Sequence, residues 1–288
     1  MRNSKRMEGL AQLCQGARRV IDVGCDHAQL CVLLVQHYGV EYAFASDIRP
    51  GPLENARRTI QAYGLSDCIE PRLCSGLSGF GPADADTIVI AGMGGDEIAA
   101  ILKDAPWTKD GAHKLVLQPM TAAPRLRRWL VENGYAIAQE VVLTDAGRVY
   151  AAMNITNGID KSGAGEFEYL FTSHLLRHEL WPLYRDKLLQ KYRVIAQGQR
   201  HANQFDTPEQ RALRLLESFA AKENPAVITE LRDTLECPLS MDNLSDIYRF
   251  LDQDFIFLLL FPRILLIRFF YATPSPSLTT NPVLVLRS

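Results

Sequence analysis

The sequence predicts an α/β protein, a doubly wound parallel sheet followed by an antiparallel pair of long helices. Between residue 18 and about residue 156, short apolar runs alternate with segments of helical period. Strands that are apolar along their whole length are buried on both faces, as in a parallel sheet covered by crossover helices. From Phe167 onward, apolar side chains recur every three to four residues, which indicates helices.

The strands of the first domain are expected in a regular order. A short helix over residues 4–15 precedes them. The last two apolar runs, AIAQEVVL and VYAAMNI, are separated only by the turn TDAGR, so they should form an antiparallel hairpin at the sheet edge. The expected parallel strands are VIDVG, YAFASDI, CIEPRLC, DTIVIAGM and KLVLQPM.

A helical second domain follows the linker GIDKSGAGE, residues 158–166. Its returning helix should begin at Pro208, with Thr207 or Asp206 as the N-cap and proline at the first helical position. We expect the two helices to pack as an antiparallel hairpin whose apolar stripe is its own seam. The expected seam residues are Leu176, Leu180, Tyr184, Leu188, Ile195, Leu213, Leu216, Phe219, Ile228, Leu231 and Leu235.

Composition narrows the possible partners. The chain of 288 residues has a formal net charge of -2, so any nucleic acid would have to meet a local basic face. Its 6 cysteines form no C-x-x-C pair and have no histidine at ligand spacing, which argues against a metal site and against a disulfide scaffold. The basic start MRNSKRMEGLAQLC contains no apolar stretch of signal-peptide length, so a cytoplasmic protein is expected.

Residues 251–288 form a tail of unusual composition. Its run FIFLLLFPRILLIRFFY is shorter than the roughly 20 residues that span a bilayer, and it contains Arg263 and Arg268. A buried helix, or a tail produced by a shifted reading frame, is favoured over a membrane anchor, so no stable membrane association is expected. The following ATPSPSLTTNP has the composition of a disordered segment.

Two residues at predicted strand ends indicate a nucleoside-binding site. Gly24 ends the first strand, and Asp47 ends the second, where a carboxylate can accept hydrogen bonds from ribose hydroxyls. No G-x-G-x-x-G turn surrounds Gly24, so a pyrophosphate would lack its backbone nest. A nucleoside cofactor without phosphates fits better, and S-adenosylmethionine is such a cofactor. Alternatively, Asp47 is the N-cap of the next helix.

The ends of the fourth and fifth expected strands add two features. The segment AGMGG, residues 91–95, contains three glycines that let a flat ligand approach the backbone; alternatively, it is a loose strand-to-helix turn. Gln118 follows in LQPM, and its amide can donate and accept hydrogen bonds at a base edge.

A series of motifs, in order over roughly residues 1–250, resembles the bacterial tRNA (adenine-N1)-methyltransferases of TrmK type. The motifs are DVGCDHAQL, ASDIRPGPLENA, RLCSGL, VIAGMGG and LQP followed by LRRWLVENGY. Two positions depart from the family pattern. Ser75 stands where the family usually has an acidic or amide residue, and Met120 stands where members commonly have asparagine.

The resemblance implies an organisation and an activity. Residues 1–157 would form a Rossmann-like class I S-adenosylmethionine-dependent methyltransferase domain, and residues 166–250 a helical, coiled-coil-like domain that binds tRNA. The implied reaction is the methylation of N1 of adenine 22, in the D-loop region of tRNA, with S-adenosylmethionine as cofactor. Two alternatives stay open: a methyltransferase for another RNA base or a small molecule, and a non-catalytic RNA-binding protein.

The strand ends and the resemblance together predict the site residues. Asp26 is expected to stabilise the positive charge that grows on adenine as N1 is methylated. His27 has three open roles, to orient Asp26, to contact the tRNA or to hydrogen-bond the backbone. Gln118 completes the predicted catalytic set. The predicted cofactor-binding residues are Asp22, Gly24, Cys25, Asp47, Ile48, Ser75, Gly76, Ala91, Gly92, Met93 and Gly94.

Basic side chains cluster on the predicted helix over residues 177–200. Because adenine N1 takes part in pairing or stacking, the target base has to be turned out, and the folded RNA must be held elsewhere. Clustered Lys and Arg are plausible phosphate contacts, although the alternative is a solvated helix face. The predicted RNA-binding residues are Arg6, Arg127, Arg185, Lys187, Lys191 and Arg193.

Overall fold

The computed structural model describes residues 4–158 and 169–223. Most of the predicted linker, the last three residues of the predicted helical seam and the whole tail lie outside the described residues. The predicted boundaries of the three chain segments therefore stay predictions.

One seven-stranded sheet forms the centre of the described structure, with the strand order β3-β2-β1-β4-β5-β7-β6. Strands β1 to β5 run parallel, and β7 is antiparallel to both β5 and β6. This confirms the predicted doubly wound, Rossmann-like sheet with a hairpin at one edge. The strands are β1 (Arg19–Val23), β2 (Tyr42–Asp47), β3 (Ile69–Leu73), β4 (Thr87–Gly94), β5 (Lys114–Thr121), β6 (Tyr135–Asp145) and β7 (Arg148–Asn157).

Helices cover both faces of the sheet, as the uniformly apolar strands require. Successive residues of a strand point to opposite faces, so Val20 packs into one hydrophobic cluster and Ile21 into the other. The first cluster includes side chains of α1, α2 and α3, and the second includes side chains of α4 and α5. These helices are α1 (Lys5–Leu13), α2 (Gln29–His37), α3 (Pro50–Ala62), α4 (Gly95–Lys103) and α5 (Ala123–Glu132).

Three further helices follow the sheet: α6 (Ser173–Leu176), α7 (Trp181–His201) and α8 (Pro208–Glu223). Helix α8 begins as predicted, because the Thr207 hydroxyl accepts a hydrogen bond from the Gln210 amide and Pro208 is the first helical residue. The apolar stripe is more than the seam of this hairpin. Its cluster also contains Val142 of β6 and Ala151 of β7, so the helices pack against the sheet as well.

A buried ion pair joins the sheet to these helices. Arg127 on α5 and Glu140 on β6 both have fully buried side chains, and Nη2 of Arg127 donates to Oε1 of Glu140 at 2.7 Å. The same guanidinium donates to the carbonyl oxygens of Tyr169 and Leu170 and to the hydroxyl of Tyr184. The prediction that Arg127 contacts RNA is therefore wrong, because its charge is buried and neutralised inside the protein.

We predict that Arg127→Met destabilises the folded chain by about 3–5 kcal/mol, because it leaves the Glu140 carboxylate buried without its counter-charge. The measurement is urea unfolding of the full chain at pH 7. Arg18→Met is the matched control. Arg18 pairs with Glu41 on the surface, where such pairs contribute about 0.2–1 kcal/mol. Equal losses in the two variants would contradict a special role for the buried pair.

Candidate cofactor and substrate cavity

A cavity of about 950 Å³ opens at the carboxyl ends of the parallel strands. It lies where β1 and β4 are neighbours, so the chain leaves the two strands towards opposite faces of the sheet. This reversal of strand order is where open α/β sheets bind their ligands. The cavity brings together twelve predicted residues: Asp22, Gly24, Cys25, Asp26, Asp47, Ile48, Ser75, Gly76, Ala91, Gly92, Met93 and Gly94.

The turn after β1 is held by the end of β2. The backbone amides of Gly24 and Cys25 both donate to the carbonyl oxygen of Ser46, at 2.8 and 2.9 Å. Gly24 has a φ of +76°, and a Cβ at this position would lie 2.3 Å from the terminal methyl of Met93. Glycine is needed here on both counts, since the backbone is left-handed and the space beside it is filled.

Asp26 presents its carboxylate at the cavity. Its side chain is 66% exposed, and its oxygen Oδ2 lies 3.6 Å from Nε2 of His27. This contact is long and solvent-exposed, so the three roles considered for His27 stay predictions. His27 itself is not among the residues that line the cavity.

Asp22 lies beneath the turn, almost completely buried. The thiol of Cys31 donates a long hydrogen bond of 3.6 Å to its carboxylate, and the hydroxyl of Ser46 donates to its backbone carbonyl. Burial raises the pKa of Asp22 to about 7, while the thiol hydrogen bond and the positive charge of Arg6 act in the opposite direction. Asp22 thus braces the turn through its backbone and carries a carboxyl that titrates near neutral pH.

Asp47 closes β2 and is 5% exposed. Its Oδ1 accepts a hydrogen bond from the backbone amide of Arg49 at 2.9 Å. The N-cap of α3 is Arg49, whose side chain makes no capping bond, so the alternative that Asp47 caps this helix is wrong. Asp47 instead stabilises the turn before the helix and lines the cavity.

Apolar side chains form the wall beyond β2 and β3. Ile48 is 63% exposed and lines the cavity together with Leu77 and Ile101. Gly76 has a φ of +54°, and a Cβ there would lie 3.1 Å from Ile101. The backbone at Gly76 therefore lies close to the Ile101 side chain of α4.

Residues 91–94 of the segment AGMGG belong to β4, and Gly95 is the first residue of α4, so the alternative of a loose turn between strand and helix is wrong. Strand β4 runs through Gly94, and its pairing with β5 shifts register between Ala91 and Met93 and again at Gly94. Such bulges redirect the strand next to a site. Gly92 at the bulge has a φ of +81°, which suits glycine best.

Gln118 does not line the cavity, so its predicted contact with a base edge is wrong. Its side chain is fully buried. Oε1 accepts a hydrogen bond from Nη1 of Arg6 at 2.8 Å, and Nε2 donates to the carbonyl oxygen of Pro119 and to the sulfur of Met120. Because both ends of the amide are engaged within the protein, Gln118 holds Arg6 and leaves no donor for a base.

Arg6 lines the cavity instead of lying on an RNA-facing surface. The prediction that Arg6 contacts RNA is therefore wrong, because Arg6 lies in the wall of the cavity. The basic residues that line the cavity are Arg6 and Arg49, and the acidic ones are Asp22, Asp26, Asp47, Glu97 and Asp104. The excess of acidic groups fits a ligand with positive charge.

The four predicted RNA-binding residues on α7 differ in how far their charge is available. Arg185 pairs with Asp186 at 2.8 Å, and Arg193 pairs with Glu217 at 3.2 Å. The ammonium group of Lys187 donates a hydrogen bond to the carbonyl oxygen of Val149, and burial lowers the pKa of Lys187. Lys191 lies 5.7 Å from the ring centroid of Tyr192 on an exposed part of the helix. RNA binding by these residues stays a prediction.

The described ranges contain no group of three or more His, Cys, Asp or Glu side chains that could hold a metal ion. Among the helices within those ranges, none combines the length and the apolar character that crossing a membrane requires.

Sequence comparison places the cavity within a known domain. Residues 3–153 match the family described as a methyltransferase domain. The tRNA (adenine(22)-N(1))-methyltransferase of Bacillus subtilis (strain 168) is 35% identical over 150 residues, which cover 52% of this chain and 63% of that protein. The sequence match thus spans less than two thirds of the B. subtilis protein.

Two solved structures are similar over nearly their whole length. The B. subtilis m1A22 tRNA methyltransferase TrmK is 30% identical with a TM-score of 0.63, covering 75% of this chain and 95% of that chain. Sp1610 of Streptococcus pneumoniae, solved in complex with S-adenosyl-L-methionine, is 30% identical with a TM-score of 0.66, covering 75% of this chain and 98% of that chain.

We predict that the unliganded protein loses stability as the pH rises from about 4 to about 7, in part because of Asp22. Its pKa is raised from 3.8 to about 7 on folding, so unfolding releases a proton within this window and is favoured at higher pH. Asp22→Asn removes the titration and should flatten the dependence. Thermal unfolding at pH 5, 6, 7 and 8 measures it.

The control for this experiment is Asp67→Asn, which changes an exposed carboxylate. It should keep the pH profile of the unsubstituted protein. A parallel profile for Asp22→Asn would show that the buried carboxyl does not titrate in this range.

Proposed function

The chain belongs to the methyltransferase-domain family and, within it, to the TrmK-type tRNA (adenine(22)-N1)-methyltransferases, and on this premise we propose that it methylates N1 of adenine 22 in tRNA with S-adenosylmethionine. The observation that carries the proposal is the cavity at the reversal of strand order, where a glycine turn, an acidic strand end and an excess of carboxylates meet. Because the proposed substrate is tRNA, we infer a cytoplasmic location.

The residues present fit the cofactor. When bound, S-adenosylmethionine supplies an electrophilic methyl group on a positively charged sulfur. Gly24 allows the left-handed turn after β1, which lines the cavity where the cofactor would bind. Asp47 would accept hydrogen bonds from ribose hydroxyls, and Ile48 and Leu77, which line the same cavity, would offer apolar surface to the adenine ring. The surrounding carboxylates would stabilise the positive charge of the sulfonium.

Asp26 is the residue that we assign to the methyl acceptor. N1 of adenine attacks with its in-plane lone pair, so that an N–C bond forms as the S–C bond breaks, and no base is required to start the reaction. Positive charge then appears on the purine ring and its exocyclic amine. An exposed carboxylate at the cavity mouth stabilises this charge, and most of the remaining acceleration comes from alignment.

The tRNA has to be held outside this cavity while the base is turned into it. We propose the cations of α7 for part of this contact, and Lys191 is the most available of the four. Arg185 and Arg193 are paired with carboxylates, and Lys187 is hydrogen-bonded to a carbonyl oxygen. Arg127 and Arg6 no longer belong to the set. Met120, 40% exposed at the end of β5, supplies apolar surface at the position where related proteins commonly carry an amide.

We predict that the full chain converts unmodified tRNA transcript to a product containing 1-methyladenosine. The product is digested to nucleosides and identified by mass spectrometry. A transcript with guanine in place of adenine 22 is the matched control and should remain unmethylated. Methylation of a different base would favour the first alternative activity, and tight tRNA binding without any methylated nucleoside would favour a non-catalytic RNA-binding protein.

We predict that Asp26→Asn lowers kcat for tRNA methylation by roughly 100-fold while leaving cofactor affinity nearly unchanged. Asparagine tolerates the left-handed backbone at this position, where φ is +49°, so the change removes the charge without adding strain. Asp67→Asn again serves as the control with normal turnover. An unchanged kcat in Asp26→Asn would rule out the electrostatic role of Asp26.

A further inference from the structure

A second cavity, of about 340 Å³, lies where the start of α5 meets the hairpin of α7 and α8. Arg125 and Arg128 at this cavity are exposed, whereas Leu170 and Tyr192 are buried. Within the described ranges it shares no lining residue with the cavity at the strand ends. The side chains that define this interhelical cavity are Arg125, Arg128, Tyr169, Leu170, Tyr192 and Glu209.

Tyr192, on α7, brings a phenolic hydroxyl to the interhelical cavity. The residue is 9% exposed, and its ring packs in the hydrophobic cluster beneath the helices. The hydroxyl makes no hydrogen bond to any described residue, and its oxygen keeps some accessible surface. Polar groups of buried side chains are normally hydrogen-bonded, because leaving water without a new partner costs free energy. A ligand in the cavity would supply the missing partner.

Arg128 brings a positive charge to the same cavity. Its guanidinium carbon lies 5.3 Å from the ring centroid of Tyr169. Among the described residues, no carboxylate lies within ion-pair distance of this guanidinium. Arg125 differs, because it donates two hydrogen bonds to the carboxylate of Asp96 on α4. A guanidinium that lies over an aromatic ring keeps its edge donors available, so Arg128 is able to bind an anion such as a phosphate.

The ion pair of Arg125 and Asp96 connects the interhelical cavity to the cavity at the strand ends. Arg125 lines the first of these two, and Glu97, which follows Asp96 in the chain, lines the second. In addition, α5 begins at Ala123, two residues after β5 ends at the carboxyl edge of the sheet. The two cavities are therefore neighbours, and a large substrate that places a base in one cavity can reach the other.

We propose that the interhelical cavity binds one unpaired nucleotide of the tRNA, whose phosphate contacts Arg128 and whose base contacts Tyr192 and Glu209. The inference rests on the proposed function and names a second contact for the same substrate. A nucleotide combines a flat ring, which suits the aromatic and apolar lining, with a phosphate, which suits an unpaired guanidinium. Positive charge continues along α7, where the exposed Lys191 precedes Tyr192. A polymer with a phosphate at every nucleotide is thus favoured over a peptide with one anionic group.

Glu209, in the first turn of α8, adds a hydrogen-bond acceptor to the cavity. Nε2 of Gln199 donates to its Oε2 at 2.8 Å, and this bond is the main reason why the pKa of Glu209 lies below its usual range. The group is therefore a carboxylate at neutral pH and accepts from an N–H group. Adenine, cytosine and guanine have an exocyclic amine that can donate to it, so we expect one of these bases in the cavity.

Two substitutions test the site with little disturbance of the packing. Arg128→Gln removes an exposed charge, and we expect it to weaken the binding of unmodified tRNA transcript by about 5- to 10-fold in fluorescence anisotropy, with a salt dependence smaller by roughly one counter-ion. Tyr192→Phe removes one hydroxyl and should weaken binding by about 3- to 10-fold. Because Tyr192 is buried, only a group inside the cavity reaches its hydroxyl, so this variant separates an inserted nucleotide from a phosphate at the rim.

Arg57→Gln is the matched control. Arg57 is an exposed arginine on α3, which packs on the opposite face of the sheet from α5. It should keep the tRNA affinity of the unsubstituted chain. In all three variants the affinity for S-adenosylhomocysteine, measured by calorimetry, should stay within about twofold.

Four results would overturn the proposal. Equal losses of tRNA affinity in Arg57→Gln and Arg128→Gln would indicate an unspecific effect of charge. A parallel loss of affinity for S-adenosylhomocysteine would indicate general damage to the fold. A loss in Arg128→Gln without one in Tyr192→Phe would indicate a phosphate contact outside the cavity. Unchanged tRNA affinity in both variants would leave the cavity to a different ligand, such as a peptide.

The proposed function and this inference fail in different ways. If tRNA binding depends on Arg128 and Tyr192 as expected but no methylated nucleoside forms, the nucleotide site stands and the assigned reaction is wrong. If adenine 22 is methylated and both variants keep the KM for tRNA of the unsubstituted chain, the function stands and the assignment of the interhelical cavity is wrong.

Discussion

The adjacency of β1 and β4 is the constraint on which the cavity depends. The chain leaves these two parallel strands towards opposite faces of the sheet, which opens a gap at their carboxyl ends. The gap remains accessible because the turn after β1 is tied across to β2, where the Ser46 carbonyl accepts hydrogen bonds from the amides of Gly24 and Cys25. On the opposite wall, the pairing of β4 with β5 shifts register at the carboxyl end of β4, an irregularity that is common next to binding sites. The loops that carry the polar side chains of the cavity therefore lie together at one edge of the sheet.

The distribution of charge in the cavity follows from how deeply each group lies. Asp22 is buried and carries a raised pKa, so its carboxylate is costly to ionise without a nearby cation. Arg6 is near enough for its charge to lower that cost, yet it is held by the neutral Gln118. Asp26 lies at the exposed end of the same turn. The cavity thus combines a cation at its wall with carboxylates at several depths, and the carboxylates are in excess.

Local patterns in the sequence are sufficient to predict the sheet, its edge hairpin, the start of α8 and the loops that line the cavity. Each depends on residues close together in the chain, such as a run of apolar side chains followed by glycine. The wrong predictions concern contacts between residues that are far apart in the sequence. Arg127 meets Glu140 and the carbonyl of Leu170, and Gln118 meets Arg6 across 112 positions of the chain. A charged or amide side chain in the sequence gives no indication of the distant group that it will contact when buried. The sequence therefore predicts ligand contacts for Arg127 and Gln118, whereas both bind other groups of the protein.

The backbone at Asp26 supports its assignment to the methyl acceptor independently of the charge argument. With φ at +49° the residue occupies a left-handed conformation that glycine adopts freely and that aspartate and asparagine adopt more readily than other residues. A side chain that is 66% exposed gains little from packing, and its contact with His27 at 3.6 Å is solvent-exposed and weak. The carboxylate therefore contributes little to folding at this position. It is thus available to interact with what enters the cavity, as the proposed role at the acceptor base requires.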